Sequence, residues 1–221
     1  GGAMCPSYRA TKDEKDSTRA RANTLREFLT NSKQVNKFNH QELKDVFDLC
    51  LSCKACASEC PSNVDVAALK SEFLYQYQEE NGYSFRNTMF ANNVKYNKIG
   101  SLVPSLTNLV LNTYLTKFIM GISQKRSVPK LTPKTLKSWY KKQTHSSSKK
   151  IVYVFCDEFT NFYDTEIGID TITVLKRLGY NPTFVKHQES GRSFISKGFL
   201  KEAKAIANKN VSIFKKIISE E

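Results

Sequence analysis

Four cysteines fall within eleven residues, Cys50, Cys53, Cys56 and Cys60, and Pro61 follows at once. The spacing C-x2-C-x2-C-x3-C-P is the one that holds [4Fe–4S] clusters of bacterial type. Two-residue gaps let the chain curl so that three thiolates converge on one cube of iron and sulfide. The fourth cysteine then points away, and the proline turns the chain into its next element. In two-cluster proteins that fourth cysteine ligates the other cluster. The first cluster therefore needs a further ligand, and Cys5-Pro6 repeats the Cys-Pro form and supplies it. The expected metal ligands are Cys5, Cys50, Cys53 and Cys56 on one cluster, with Cys60 on a second. The other three ligands of that second cluster are expected before residue 1, so the chain reads as truncated upstream. Zinc is the competing reading, but structural zinc sites use two separated C-x2-C knuckles rather than three ligands in seven residues. A metal-free cluster of buried cysteines is the other alternative.

The chain has six cysteines in all and no N-terminal stretch that reads as a secretion signal. Thiols in such a chain are metal ligands more readily than disulfides, and the expected compartment is the cytoplasm. The net charge of +13 is concentrated in the middle of the chain. Between Gly82 and Cys156 there are thirteen Lys and Arg and no Asp or Glu, while the remainder balances at 21 against 21. Two readings stand for this block: a solvated basic face, or a surface for an acidic partner or an anionic membrane. Nucleic acid is disfavoured, because basic and aromatic residues do not interleave into a reading surface. No Gly-rich phosphate loop, Ser/His/Asp order or H-E-x-x-H motif occurs. His40, His145 and His187 show no ligand spacing and read as surface or satisfied core residues.

The first third reads as helical. Ser17 or Thr18 caps a helix through Leu25, Phe28 and Leu29, with Arg19, Arg21 and Arg26 between them. Leu43, Val46, Phe47 and Cys50 at i, i+3, i+4 and i+7 make an apolar face that continues to the first cysteine. Asp65 caps a helix carrying Val66, Leu69, Phe73 and Tyr77, and Gly82 stops it. From Leu102 to Ile122 an apolar stretch is interrupted by Pro104, Asn108, Asn112 and Lys117, which argues against a membrane span. It reads as an amphipathic helix buried against the protein or, alternatively, lying on a bilayer surface. A short helix is expected from Thr132–Pro133 through Leu136, Trp139 and Tyr140, and a linker from His145 to Lys150. Ile151–Phe155 reads as a buried strand, Ile167–Leu178 as a helix ending at Gly179, and Thr183–Lys186 as a second strand. Together these make a βαβ unit. Cys156 stands alone after the first strand and reads as a packing residue. The adjacent acids Asp157 and Glu158 read as a turn.

Five stretches, the cysteine motif among them, carry a resemblance: Gly1–Thr11, Thr18–Asn23 with Leu25–Glu27, Cys50–Pro61, Cys156–Asn161, and Glu189–Arg192 with Ser196–Gly198. In them the chain resembles the C-terminal iron–sulfur portion of large fusion proteins that join an FAD-linked oxidase domain to an iron–sulfur oxidoreductase domain. The resemblance covers nearly the whole chain. It implies D-2-hydroxyacid dehydrogenases of the D-lactate or D-2-hydroxyglutarate type. In these, an upstream flavin domain of the same polypeptide takes a hydride from the substrate. Electrons then leave through two [4Fe–4S] clusters to a quinone or carrier protein. It also implies a fold: an α-helical ferredoxin-like domain and then the first half of a small, cysteine-rich α/β domain. In the resembled families Cys156 opens a motif completed by Cys-Cys-Gly; here that place reads Glu189-Ser190-Gly191.

The expected organisation is an α + α/β chain in three parts. Residues 1–100 form the α-helical ferredoxin-like 4Fe–4S domain, 101–148 a helical basic connector, and 149–221 a partial, truncated α/β domain. The expected function is electron relay from FAD in a 2-hydroxyacid dehydrogenase, with no substrate chemistry in this stretch. The alternative is a docking module tying the flavoprotein to a partner or, peripherally, to the inner membrane face.

Overall fold

The computed structural model describes residues 5–143 and 150–218. His145 and most of the expected 145–150 linker lie outside the described residues. The chain is predominantly helical with one small parallel sheet. In order, the elements are α1 (Pro6–Thr11), α2 (Thr18–Asn31), α3 (Gln41–Asp48), α4 (Ala55–Glu59), α5 (Val66–Asn81), α6 (Phe85–Ala91), α7 (Asn93–Gly100), α8 (Pro104–Leu111), α9 (Tyr114–Ile119) and α10 (Leu136–Tyr140). There follow β1 (Ile151–Val154), α11 (Glu158–Phe162), α12 (Thr165–Arg177), β2 (Asn181–Phe184), α13 (Arg192–Ser196) and α14 (Leu200–Phe214).

The chain divides into two compact units, one of residues 1–91 with 192–203 and one of residues 92–191 with 204–221. In the first, the Ser17 hydroxyl accepts from Ala20 N and starts α2, and the Asp65 carboxylate accepts from Ala68 N and starts α5. Each cap satisfies an N–H that the first helical turn leaves orphaned. Gly82, at φ 82°, ends α5 in the left-handed region that a side chain disfavours. Leu25, Leu43, Phe47, Val66 and Phe73 form the core, with the Phe47 and Phe73 rings stacked at 5.4 Å. Burying five such side chains contributes on the order of 1.5–3 kcal/mol each before chain entropy is counted. Segment 192–203 packs on α5: the Gln78 amide donates to Lys197 O at 2.8 Å, and Lys201 pairs with Glu79 at 2.6 Å. Gly198 (φ 73°) sits so close to this helix that a Cβ there would lie 2.7 Å from Leu74 Cβ.

In the second unit β1 and β2 pair in parallel, Ile151 opposite Asn181 and Val154 opposite Phe184. The expected βαβ unit is present, with α11 and α12 as its crossover. The strand is not buried as its apolar run implied. β1 has one neighbour, and Ile151 and Tyr153 are 52% and 44% exposed. The short helix begins at Leu136, capped by Thr135, rather than at Thr132–Pro133. The expectation of one buried amphipathic helix over Leu102–Ile122 is also overturned. Thr113 caps a new helix there, dividing the stretch into α8 and α9. Most apolar side chains of both are exposed, among them Leu109 at 69% and Phe118 at 70%. Among the described residues no helix is long and apolar enough to cross a membrane.

Candidate metal centre

The cysteine loop is built by two left-handed residues. Helix α3 stops at Asp48, so Cys50 lies just past the helix rather than on its face, and Cys50 N donates to Phe47 O at 3.0 Å. Ser52 (φ 54°) and Lys54 (φ 62°) then reverse the backbone twice between the first and third cysteines. Neither is glycine, so each costs about 1 kcal/mol, a local strain of the kind that clusters at functional sites. The outcome is one small pocket lined by Cys5, Cys50, Cys53 and Cys56, with Thr18 and Arg21 beside them. Cys60 does not line it. It sits in the turn leading to α5, where the amides of Val64, Ser62 and Asn63 hold its thiol below the ordinary value.

Two buried cations support the cysteine loop, Arg21 at the pocket and Lys70 behind it, and neither stood out as a site residue in the sequence. Arg21, 1% exposed, donates to Cys5 Sγ at 3.0 Å, to Ser7 Oγ at 2.9 Å and to Val46 O at 3.0 Å. Lys70 donates to Cys50 O at 2.6 Å and Asp48 O at 3.4 Å, and burial lowers its pKa. The signal for both was a charge on an apolar helix face: Arg21 is four residues before Leu25, and Lys70 four after Val66. Burial works against ionisation of Cys5, yet hydrogen bonds from Ser7 and Arg21 and the Arg21 charge leave its thiol below the ordinary value. Arg21 is the charged donor among these, and Thr18 adds a further hydrogen bond that favours the thiolate.

Four soft thiol donors around one pocket, with the Arg21 guanidinium at the Cys5 sulfur, fit the chemistry of an iron–sulfur cluster. The thiols surround the pocket without converging on a point: among the described residues no three His, Cys, Asp or Glu side chains could hold a single metal ion.

Cys156 is placed apart from these cysteines in its chemistry. It is 3% exposed, and burial pushes its thiol up to about 11. Its N–H donates to His187 Nε2 at 3.1 Å, which accounts for His187 as a satisfied core residue; His40 Nε2 meets Ser32 Oγ at 2.7 Å. Asp157 caps α11, whereas Glu158 is buried and accepts from Ser190 N at 3.0 Å and Ser190 Oγ at 2.6 Å. Cys156 and the Glu189–Gly191 stretch are thus neighbours in space through Glu158. No local sequence signal marked that contact, since 32 residues separate its partners.

Residues 2–65 match the family described as a 4Fe-4S dicluster domain. The D-2-hydroxyglutarate dehydrogenases of Pantoea ananatis and Escherichia coli are similar to 97% of this chain, at 25% and 24% identity. That of Haemophilus influenzae is similar to 90% of it, at 25% identity. The chain spans about a quarter of these relatives' length, 26% of the first two and 24% of the third. No solved structure matches. The stretch that carries Cys5 and the Cys50–Pro61 motif is therefore the one that the iron–sulfur family matches, and the likeness to D-2-hydroxyglutarate dehydrogenases continues along nearly the whole chain.

Proposed function

We propose that this chain is the electron-relaying iron–sulfur part of an FAD-dependent 2-hydroxyacid dehydrogenase, with D-2-hydroxyglutarate as the substrate class its relatives' names favour. Cys5, Cys50, Cys53 and Cys56 hold one [4Fe–4S] cluster, and Cys60 ligates a second whose remaining ligands come from an upstream part of the polypeptide. Residues 1–100 provide a ferredoxin-like setting for them, 101–148 a basic connector and 149–221 an α/β portion. A bound cluster supplies one-electron steps, so a flavin reduced by a two-electron hydride can discharge singly to a quinone or carrier protein. The observation that carries this reading is the shared pocket: the thiol 45 residues upstream of Cys50 lines the same wall as the motif's first three.

Iron and sulfide analysis of the anaerobically purified full protein tests it. About eight irons with matching sulfide is the expected result for two [4Fe–4S] clusters. Zinc alone, or no metal, sinks the reading.

The exposed apolar faces of α8 and α9 favour a second, compatible role. Leu106, Leu109 and Val110 on one helix and Tyr114, Leu115, Phe118 and Ile119 on the other are unburied, within the stretch that has no acidic residue. Apolar area flanked by basic charge suits peripheral contact with an anionic bilayer at the cytoplasmic face. Salt-sensitive flotation with phosphatidylglycerol vesicles, lost in Phe118→Glu, is the expected behaviour. Equal recovery with and without vesicles rules this role out.

A further inference from the structure

The pocket contains a charge that ordinary packing does not explain. Arg21 is 1% exposed, and among the described residues no carboxylate pairs with it. A buried guanidinium without a counter-charge is as unfavourable as a buried ion pair that has lost one partner. Its three partners are a carbonyl, a hydroxyl and the Cys5 sulfur. Of these only the sulfur can carry negative charge.

We infer that Arg21 is a positioning residue for the cluster that Cys5 helps to hold, and that its fixed charge raises that cluster's reduction potential. The inference rests on the proposed cluster. Cys5 is the remote ligand, separated from Cys50 by α1, α2 and α3. Nothing in the local spacing of the motif orients it. Arg21 does so from α2 by holding three things at once: the Cys5 sulfur, the Ser7 hydroxyl of α1, and the Val46 carbonyl near the end of α3. The planar guanidinium makes these bonds in fixed directions, which a lysine ammonium cannot reproduce. Reduction adds one electron to the cluster, so a positive charge bonded to a ligand sulfur favours the reduced form. Lys70 acts differently, bonding Cys50 through its backbone carbonyl and not its sulfur.

The test compares the full protein with its Arg21→Gln and Arg21→Lys variants, reading bound iron and the midpoint potentials from an EPR-monitored redox titration. Arg21→Gln is expected to lower one cluster's potential and to weaken its retention roughly 10-fold or more. Arg21→Lys keeps the charge, so the potential stays near that of the parent while retention weakens. A purely structural arginine would change retention and melting temperature in both variants without moving the potential of whatever cluster assembles. A loaded Arg21→Gln protein with the parent's potentials therefore overturns the inference. If Arg21→Gln takes up no cluster, Arg21→Lys decides: weaker retention at the parent's potential supports the role, and unchanged retention overturns it. A parent protein that binds no iron is distinguishable from all of these, because it overturns the cluster reading itself.

Discussion

Cys5 and Cys156 are both sheltered thiols, and their surroundings drive them in opposite directions. Cys5 lies against a guanidinium and falls below the ordinary thiol value. Cys156 is buried beside Asp157 and Glu158, its Sγ 3.9 Å from Asn161 Oδ1, and rises to about 11. Burial penalises the thiolate in both places; at Cys5 hydrogen bonds and the Arg21 charge outweigh it, whereas at Cys156 the Asp157 and Glu158 charges add to it. A sulfur poised to be a thiolate can ligate metal or react. A sulfur held as a thiol is a small hydrophobe.

The strongest way to break this contrast is to remove one sulfur from each site. Cys53→Ser in the full protein is expected to abolish one of the two clusters and with it about half of the iron and visible colour. Cys156→Ser should leave iron content at the parent's level. Equal iron loss in the two variants would mean that Cys156 is a ligand after all.

A second effect, smaller but still large, is chemical reactivity. In iron-free protein at pH 8, iodoacetamide should modify Cys5 well before Cys156. With a thiol value near 11 against an ordinary 9.0, Cys156 holds on the order of a hundredfold less thiolate than an unperturbed cysteine. Peptide mass spectrometry over a time course reads the ratio, and comparable rates at the two sites would refute the contrast.

What could be read in advance was whatever depended on neighbours along the chain. The cysteine spacing, the Ser17 and Asp65 caps and the Gly82 stop are decided within a turn of helix, and they stand as expected. Burial depends on what covers a residue, which a linear pattern does not contain. The apolar run at Ile151 forms its strand, but with one partner strand it stays half exposed. The apolar face of α8 and α9 is unburied for the same reason: nothing among the described residues covers it. In the site, the sulfurs were legible and their electrostatics were not. Arg21 looked like one of three arginines on a helix until α1 and α3 closed over it, and the return of segment 192–203 to α5 has no sequence-local cause.

The Glu158–Ser190 bonds sharpen the contrast on the Cys156 side. They join the turn after Cys156 to the stretch where the resembled families carry paired cysteines. Glu158→Gln leaves one of the two Ser190 donors facing an amide N–H, and a loss of about 1–3 kcal/mol in urea unfolding is expected. An unchanged midpoint would mean that these bonds do not hold the two stretches together.

The smallest effect is the most diagnostic in sign, because the two sites should lose stability at opposite ends of the pH scale. Beside the cysteine loop, the Ala68 N–H and then Lys54, 3.0 Å away, hold the Asp65 carboxyl below its ordinary range. A carboxyl lowered on folding stabilises above its unfolded value, and that contribution is lost as pH falls through the folded one. Lys54 is itself one of the left-handed residues of the loop, so acid should loosen the loop that presents Cys53 and Cys56. Lys54 is exposed and Asp65 half-buried, and solvent screening limits the effect to roughly a few tenths of a kcal/mol. Asp65→Asn keeps a competent cap but cannot titrate, and should flatten the acid side of the stability profile alone. At Cys156 the signs reverse. Its value is raised on folding, so its contribution is complete below 9.0 and disappears as pH climbs towards about 11. Cys156→Ala should flatten only that alkaline side. If each variant alters the limb assigned to the other, desolvation and hydrogen bonding have been attributed to the wrong sites, and the distinction between a ligand thiol and a packing thiol fails with them.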